Sequence, residues 1–238
     1  MIQQIREQQI IEYLHQNKSA TIKELSLLLH ASESSVRRDI EKLENRGLAN
    51  RVHGGVILSE YKNSVVPLSL RDTENHAAKE KIAKKAAELV TDGSTVLIDS
   101  SSTTWRIVKH LKNRRDLRVI TNSLAVINEL ENTSIEVYCT GGLFCSDTRD
   151  FVGHEAENYI RSIYADIAFI SSNAISLDGE ISDVSAEWTA LRKIMLTRAK
   201  QRVFLCDSSK IGKRKTFTLC TKDDVDKIIC DTPLPWEI

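Results

Sequence analysis

The chain has 238 residues, enough for one large domain or two smaller ones. Its 33 lysine and arginine residues balance 33 aspartate and glutamate residues, so a nucleic-acid-binding surface has to be a local basic patch and not a property of the whole protein. No run of residues approaches the roughly 20 apolar positions of a membrane span, and the polar N-terminus lacks a signal-peptide pattern, so we expect a cytoplasmic protein.

The first predicted elements form a helix-turn-helix. A helical pattern covers residues 2–16, and residues 21–40 are predicted to form two short helices joined by a tight turn. Ser32 is a good N-cap for the second of these helices. Arg37 and Arg38 lie near its start, which is the part that enters the major groove in helix-turn-helix proteins. The apolar positions at i, i+4 and i+7 predict a buried stripe of Val36, Ile40 and Leu43.

The next segment predicts a short β-hairpin, or wing. Residues 47–57 begin with a glycine that fits a helix C-cap and contain Gly54 and Gly55, which allow a close backbone approach. We therefore predict a winged helix-turn-helix domain in residues 1–57 that binds double-stranded operator DNA. An ordinary helical hairpin with surface arginines is the alternative. The residues expected to contact DNA are Thr21, Ser32, Ser34, Ser35, Arg37, Arg38, Arg51, His53 and Gly54.

A change of pattern separates this domain from the rest of the chain. Residues 58–75 have no clear period and include Pro67, so they are predicted to be a linker. Residues 76–238 alternate helical patterns with continuous apolar runs, which favours an α/β domain with a largely parallel sheet covered on both faces. The six runs predicted as strands are 95–99, 118–122, 135–142, 166–171, 202–207 and 226–231.

Small polar residues follow several of these predicted strands. A Ser/Thr-rich loop from Asp99 to Trp105 opens a predicted helix, where hydroxyls and free N–H groups suit a phosphate. Lys210 can add a positive charge, whereas Asp99 and Asp207 either hold sugar hydroxyls or cap their loops. The alternative for the first loop is N-capping and a solvated turn. The candidate effector residues are Asp99, Ser100, Ser101, Ser102, Thr103, Thr104, Thr121, Asn122, Gly141, Gly142, Asp207 and Lys210.

The five cysteines suggest no metal or redox site. They are widely spaced and form no Cys-x-x-Cys pair, and Cys139, Cys206 and Cys230 lie in apolar runs where a buried thiol acts as a small hydrophobe. We expect neither a metal nor a cofactor.

The chain resembles the DeoR-type family of bacterial sugar-catabolism repressors. The N-terminal resemblance rests on Ser32-Glu-Ser-Ser-Val-Arg-Arg-Asp-Ile40, Leu43-Glu-Asn-Arg-Gly47 and Arg51-Val-His-Gly-Gly55. The C-terminal resemblance rests on Asp99-Ser-Ser-Ser-Thr-Thr104, Thr121-Asn122, Gly141-Gly142 and Asp207-Ser-Ser-Lys-Ile-Gly212, with Ser101 where the family usually has glycine. It implies an effector domain similar to ribose-5-phosphate isomerase that binds a phosphorylated sugar and changes the affinity for DNA.

These patterns predict a transcriptional repressor of a sugar-catabolism operon that is controlled by a phosphorylated sugar and has no enzymatic activity. We expect a homo-oligomer, a dimer or tetramer, because two operator half-sites require at least two copies. One alternative is a DNA-binding regulator whose second domain only oligomerises. The other is a sugar-phosphate isomerase, for which Asp183 and Glu187 are possible bases outside any recognisable catalytic arrangement.

Overall fold

The computed structural model describes residues 2–52, 54–58 and 68–236. They divide into two units with a boundary between Glu74 and Asn75. No helix among these residues is long and apolar enough to cross a membrane.

The first unit is a winged helix-turn-helix. Its elements in chain order are α1 (Ile2–Asn17), β1 (Ser19–Thr21), α2 (Ile22–Leu28), α3 (Glu33–Asn45), β2 (Ala49–Val52), β3 (Gly55–Leu58) and α4 (Leu68–Thr73). The predicted hairpin is present as β2 and β3, and β1 adds to β3 to make a three-stranded antiparallel sheet. Apolar side chains from α1, α2, α3 and the sheet form one core, which includes Ile10, Leu14, Leu25, Val36, Ile40 and Leu43.

The helix α4 lies in the segment that the sequence pattern predicts as a linker. It has six residues, fewer than two turns, so its apolar positions are too few to reveal a helical period. It contacts β1 of the first unit. The segment 58–75 therefore also contains the last residue of β3 and a short helix, while its residues 59–67 lie outside the described part.

The second unit is built on a parallel sheet. Its helices are α5 (His76–Ala87), α6 (Leu124–Leu130), α7 (His154–Arg161) and α8 (Ala186–Thr197), with 3-10 helices at Trp105–His110, Ser208–Lys210 and Lys222–Asp224. Its strands are β4 (Thr95–Ile98), β5 (Arg118–Thr121), β6 (Glu136–Cys139), β7 (Leu143–Cys145), β8 (Asp150–Val152), β9 (Ala165–Ser171), β10 (Ala174–Ile175), β11 (Glu180–Asp183), β12 (Ala199–Cys206), β13 (Phe217–Thr221) and β14 (Lys227–Cys230).

Six of these strands pair in the order β14-β12-β9-β4-β5-β6, and every pair in that sheet is parallel. Two apolar cores cover its opposite faces. Continuous apolar strands are expected in such a sheet, because both faces of each strand are buried. The predicted fold class and all six predicted strands are confirmed.

The remaining strands form two smaller sheets. β7 and β8 make an antiparallel hairpin, and β10, β11 and β13 make an antiparallel three-stranded sheet. The expectation that Cys139 is a buried thiol is wrong, because the residue lies on the edge strand β6 and is exposed. Cys206 and Cys230 are buried and stand opposite each other on β12 and β14.

Candidate functional site

The start of α3 presents a cluster of hydroxyl groups. Ser32 caps the helix, because its Oγ accepts a hydrogen bond from the backbone N–H of Ser35 at 3.3 Å. The same oxygen lies 2.9 Å from the hydroxyl oxygens of Ser34 and Ser35. These three serines occupy the first turn of the predicted recognition helix, where base edges and phosphates are reached in helix-turn-helix complexes.

Arg37 and Arg38 follow in the next turn and are exposed. The Arg37 guanidinium lies 3.5 Å from the Glu33 carboxylate, an ion pair that solvent weakens and that DNA phosphates can displace. The stripe buried beneath them consists of Val36, Ile40 and Leu43, as predicted. The two arginines are therefore directed away from the core of the first unit.

Asp39, which follows the two arginines in the chain, does not lie on the exposed surface. It is buried and accepts a hydrogen bond from Arg6 Nε at 2.8 Å, so it ties α3 to α1. This carboxylate therefore does not dilute the positive charge of the surface. A buried aspartate paired with an arginine of the neighbouring helix instead fixes the angle at which α3 is presented.

Thr21 and the wing hold the other residues of the first unit that are predicted to contact DNA. Thr21 begins α2 in a capping box: its Oγ1 accepts from the N–H of Glu24 at 3.0 Å, and its own N–H donates to the Glu24 carboxylate at 2.7 Å. Arg51 is exposed on β2. Gly54 has a φ of 87°, which favours glycine at the tip of the hairpin. His53, also predicted to contact DNA, lies outside the described residues.

In the second unit, the candidate effector residues follow strands β4, β5, β6 and β12 at the carboxyl edge of the parallel sheet. The five residues from Ser100 to Thr104 are all buried. The helix that follows them is a 3-10 helix of six residues and not the expected α-helix, so it supplies only a small dipole. Hydroxyls and backbone N–H groups are therefore the main donors of this loop.

Asp99 holds this loop in place. Its carboxylate accepts hydrogen bonds from Thr104 Oγ1 at 2.5 Å and from the backbone N–H groups of Ser101 and Ser171 at 3.0 and 3.2 Å. Arg192 Nε donates to it as well, at 2.5 Å. Burial tends to raise the pKa of Asp99, but Arg192 and these hydrogen bonds outweigh it and hold the pKa below its ordinary value. The geometry favours the loop-capping role over the sugar-binding role.

Ser101, which replaces the usual family glycine, has its side chain turned into the loop. Its Oγ accepts from the N–H of Thr104 at 3.1 Å and lies 2.8 Å from Thr104 Oγ1. The additional side chain therefore caps the turn and does not fill the space above it.

Several residues of this site are not predicted from the sequence. Asp150 on β8 is fully buried and accepts hydrogen bonds from Ser100 Oγ, Trp188 Nε1 and Thr148 Oγ1 at 2.8, 2.7 and 2.6 Å. Arg192 on α8 is also buried, and its NH1 group donates to Asp183 Oδ2 at 2.7 Å.

Two lysines lie beside the hydroxyl groups. Lys79 on α5 is buried, and its Nζ donates to Ser102 Oγ at 3.1 Å. Lys210 Nζ donates to Ser171 Oγ at 2.9 Å and lies 3.9 Å from the Asp207 carboxylate. Burial tends to raise the pKa of Asp207, but Lys210, a hydrogen bond from Ser209 and Lys79 together lower it below its ordinary value. Both lysines therefore lower the pKa of one carboxylate, that of Asp207.

Two buried polar atoms at this edge have no hydrogen-bond partner among the described residues: Thr103 Oγ1 and Asn122 Oδ1. The Asn122 amide is oriented by its Nδ2, which donates to the Phe151 carbonyl at 3.0 Å and to Ser100 Oγ at 3.3 Å. Buried polar groups are nearly always paired in proteins, so these two atoms call for a partner that the described residues do not supply.

The remaining candidates serve the backbone. Thr121 Oγ1 accepts from the N–H of Ser123 at 3.0 Å. Gly142 has a φ of 105°, and a Cβ there would meet the Val152 carbonyl at 2.6 Å, whereas a Cβ at Gly141 would meet nothing within 4 Å. Gly142 is therefore required by the close approach of β8.

Comparison with known proteins agrees with these two units. Residues 6–62 match a family model described as the DeoR-like helix-turn-helix domain, and residues 74–232 match one described as the DeoR C terminal sensor domain. Among solved structures, ribose 5-phosphate isomerase A from Methanocaldococcus jannaschii is similar over 58% of this chain and 55% of its own, with 21% identity and a TM-score of 0.44.

Sequence similarity to other proteins covers nearly the whole chain. The transcriptional regulator YulB of Bacillus subtilis, itself uncharacterized, is 35% identical over 96% of this chain and 89% of its own. The L-fucose operon activator of Haemophilus influenzae is 29% identical over 97% of this chain and 92% of its own. These relatives are named as regulators and not as enzymes, so the isomerase alternative is set aside. The chain belongs to the DeoR family of helix-turn-helix transcriptional regulators.

Proposed function

We propose that this protein is a cytoplasmic repressor of a sugar-catabolism operon and that a phosphorylated sugar binds its second unit and changes its affinity for operator DNA. The proposal rests on the two lysines, Lys79 and Lys210, which flank buried hydroxyl loops at the carboxyl edge of the parallel sheet. Ligands of open α/β sheets bind at this edge. A relative named as an L-fucose operon activator supports a sugar as the metabolite.

The two lysines favour a phosphate over a neutral sugar. Asp99 is paired with Arg192, and each lysine donates to a serine hydroxyl that a phosphate oxygen can replace or share, while Lys210 also lies beside the Asp207 carboxylate. Within the loop, the hydroxyls of Ser102 and Thr103 add donors, because those of Ser100 and Thr104 already donate to Asp150 and Asp99. Charge-assisted hydrogen bonds to an anion contribute about 1.5–3 kcal/mol each, so one lysine lost should weaken the ligand by tenfold or more.

Calorimetry on the full chain tests the ligand. A thermal-shift panel of phosphorylated sugars identifies the tightest compound, since a ligand at a hundred times its Kd adds about 2.7 kcal/mol of stability. We expect Lys210→Ala to weaken this compound at least tenfold, with effector-free DNA binding unchanged. Lys213→Ala, an exposed lysine of the same loop, is the matched control and should bind normally.

The dephosphorylated sugar distinguishes a second unit that binds a sugar phosphate from one that only oligomerises. We expect it to bind far more weakly than its phosphate. Equal affinity for the two forms, or no binding by any member of the panel, would contradict the phosphate site. The second unit would then serve only to oligomerise the repressor.

A further inference from the structure

We propose that two copies of this chain pair through the outer edges of their β6 strands, so that the two six-stranded sheets join into one continuous sheet across a two-fold axis. The pairing rests on the proposed regulatory function in one respect: an operator with two half-sites requires two copies of the chain. The geometry of the edge is an independent observation, and it concerns the second unit alone.

The backbone of β6 has groups that its only neighbour within the described residues cannot use. The N–H of Glu136 donates to Leu117 and the N–H of Thr140 donates to Thr121, so these residues face β5. Successive residues of a strand direct their N–H and C=O groups to opposite sides. Val137 and Cys139 therefore direct theirs away from β5, which makes the edge a template for another strand.

The other end of the sheet differs, because lysines line it. The edge strand β14 borders a cavity of about 620 Å³ to which Lys81, Lys85 and Lys227 contribute, and Lys81 Nζ donates to the carbonyl of Asp231 just beyond the strand. Charged side chains at an edge oppose strand addition. The β6 edge has one charged residue, Glu136, and its exposed Tyr138 is followed by the exposed Leu143 and Phe144 of β7.

The exposure of these apolar side chains favours burial against another surface. Tyr138, Leu143 and Phe144 are 38%, 67% and 44% exposed, within seven positions of the chain. A pair of four-residue strands is small beside the roughly 1,200–2,000 Å² of a stable interface, so β7 is expected to contribute contact area. Isologous pairing places the same side chains on both sides of the axis.

In an antiparallel pair of β6 strands, one register gives hydrogen-bond partners to the outward N–H and C=O groups of Val137 and Cys139. If Tyr138 lies on the axis, Val137 of each copy exchanges both hydrogen bonds with Cys139 of the other, and Glu136 stands opposite Thr140, so no like charges meet. An axis at Val137 would need the N–H of Ile135, which donates to Thr133 Oγ1. An axis at Cys139 would pair Val137 with Gly141, whose φ of 65° is not extended.

Cross-linking tests the register on the full chain without DNA or effector. In the proposed register the two Tyr138 Cα atoms form a non-hydrogen-bonded pair about 4.5 Å apart, within the range of a disulfide. Tyr138→Cys in a Cys139→Ser background should therefore give a covalent dimer under mild oxidation. Wild-type Cys139 should not cross-link to its own copy, because that diagonal distance is about 7–8 Å.

Sedimentation tests the interface itself. Tyr138→Lys places two like charges on the axis and should raise the dimer Kd at least tenfold, while the far-UV circular dichroism spectrum of the folded protein is unchanged. Tyr164→Lys, at a tyrosine that is 61% exposed outside β6 and β7, is the control and should leave the Kd unaltered. A monomeric wild type would overturn the proposal, and so would a dimer that Tyr138→Lys does not weaken and Tyr138→Cys does not cross-link. Operator and effector binding are measured separately, so failure here is distinct from failure of the proposed function.

Discussion

Replacing Arg192 with methionine is expected to lower the free energy of unfolding of the second unit by about 3–5 kcal/mol. The arginine is 3% exposed and lies between two buried carboxylates, with hydrogen bonds of 2.5 Å to Asp99 and 2.7 Å to Asp183. Methionine retains much of the length of the side chain but leaves both carboxylates without their cation. Breaking a buried ion pair from one side is costly for this reason, since an uncompensated charge remains.

Tryptophan fluorescence during urea unfolding measures this loss in the intact protein. The chain has three tryptophans, Trp105, Trp188 and Trp236, and all lie in the second unit, so the signal does not report on the helix-turn-helix. For a unit of this size, 1 kcal/mol corresponds to about 2–4 °C in Tm, so the expected fall is about 6–20 °C.

Arg202→Met is the matched control. Arg202 also makes two side-chain hydrogen bonds to one carboxylate, that of Asp226, but it is 35% exposed, and exposed pairs contribute only about 0–1 kcal/mol. If Arg192→Met lowers the free energy of unfolding no more than Arg202→Met does, the reasoning is refuted. The buried ion pairs would then stabilise the fold no more than a surface pair.

The pH dependence has a definite sign. In the wild type the pKa of Asp99 is lowered despite its burial, so this carboxylate stabilises the fold above its ordinary pKa, and the stabilisation is lost as the pH falls through the lowered value. Without Arg192 burial dominates and the pKa rises, so acid protonates the unpaired carboxylate and relieves its cost. The stability gap between wild type and variant should therefore be widest near neutral pH and should narrow toward about pH 4.

Three further predictions concern other parts of the chain. If Arg37 or Arg38 contacts a base, its alanine variant should lose about 1–3 kcal/mol of binding free energy at one operator position. If it contacts a phosphate, the variant should bind all sequences more weakly, and the slope of log K against log salt concentration should fall by about one. Gel shifts at several salt concentrations distinguish these cases, and unchanged binding in both variants would show that α3 is not the recognition helix. Gly141→Ala should cost about 1–2 kcal/mol, because its backbone is left-handed. Gly142→Ala should destabilise the second unit by more, because its Cβ would also clash with the Val152 carbonyl. Equal urea midpoints for the two variants would contradict this. Limited proteolysis should cut first within 58–75, and a first cut within 95–210 would move the domain boundary.

The parallel sheet could be predicted from the sequence because burial on both faces gives each strand an uninterrupted apolar run, as in residues 166–171. The elements that were not predicted lack such a run. β7 has exposed residues at Leu143 and Phe144, and β10 has only two residues, so neither has a period to detect. Helix α7 has only two buried residues, Ala156 and Ile160.

The candidate site was predicted in part for a related reason. The loop 99–104 could be recognised because its polar residues are consecutive and follow a strand. Arg192 and Asp150 lie far along the chain, and only the fold brings them to that loop. One signal was present for Arg192: it falls at i+4 from Trp188 and precedes Met195 at i+7, which places a charged residue on the buried stripe of α8.

The unpaired carbonyl oxygen of Asn122 has a consequence for what the effector must offer. This oxygen accepts hydrogen bonds and cannot donate them, and the amide is held in its orientation by Phe151 and Ser100. A fully ionised phosphate has no proton to give it, so in the proposed complex a sugar hydroxyl has to face Asn122 while the phosphate faces the lysines. An unmatched buried acceptor costs about 1–3 kcal/mol, so in the proposed complex epimers that turn this hydroxyl away would be selected against by the same atom. If the proposed sugar phosphate binds there, its stereochemistry would be discriminated by the side-chain carbonyl of Asn122.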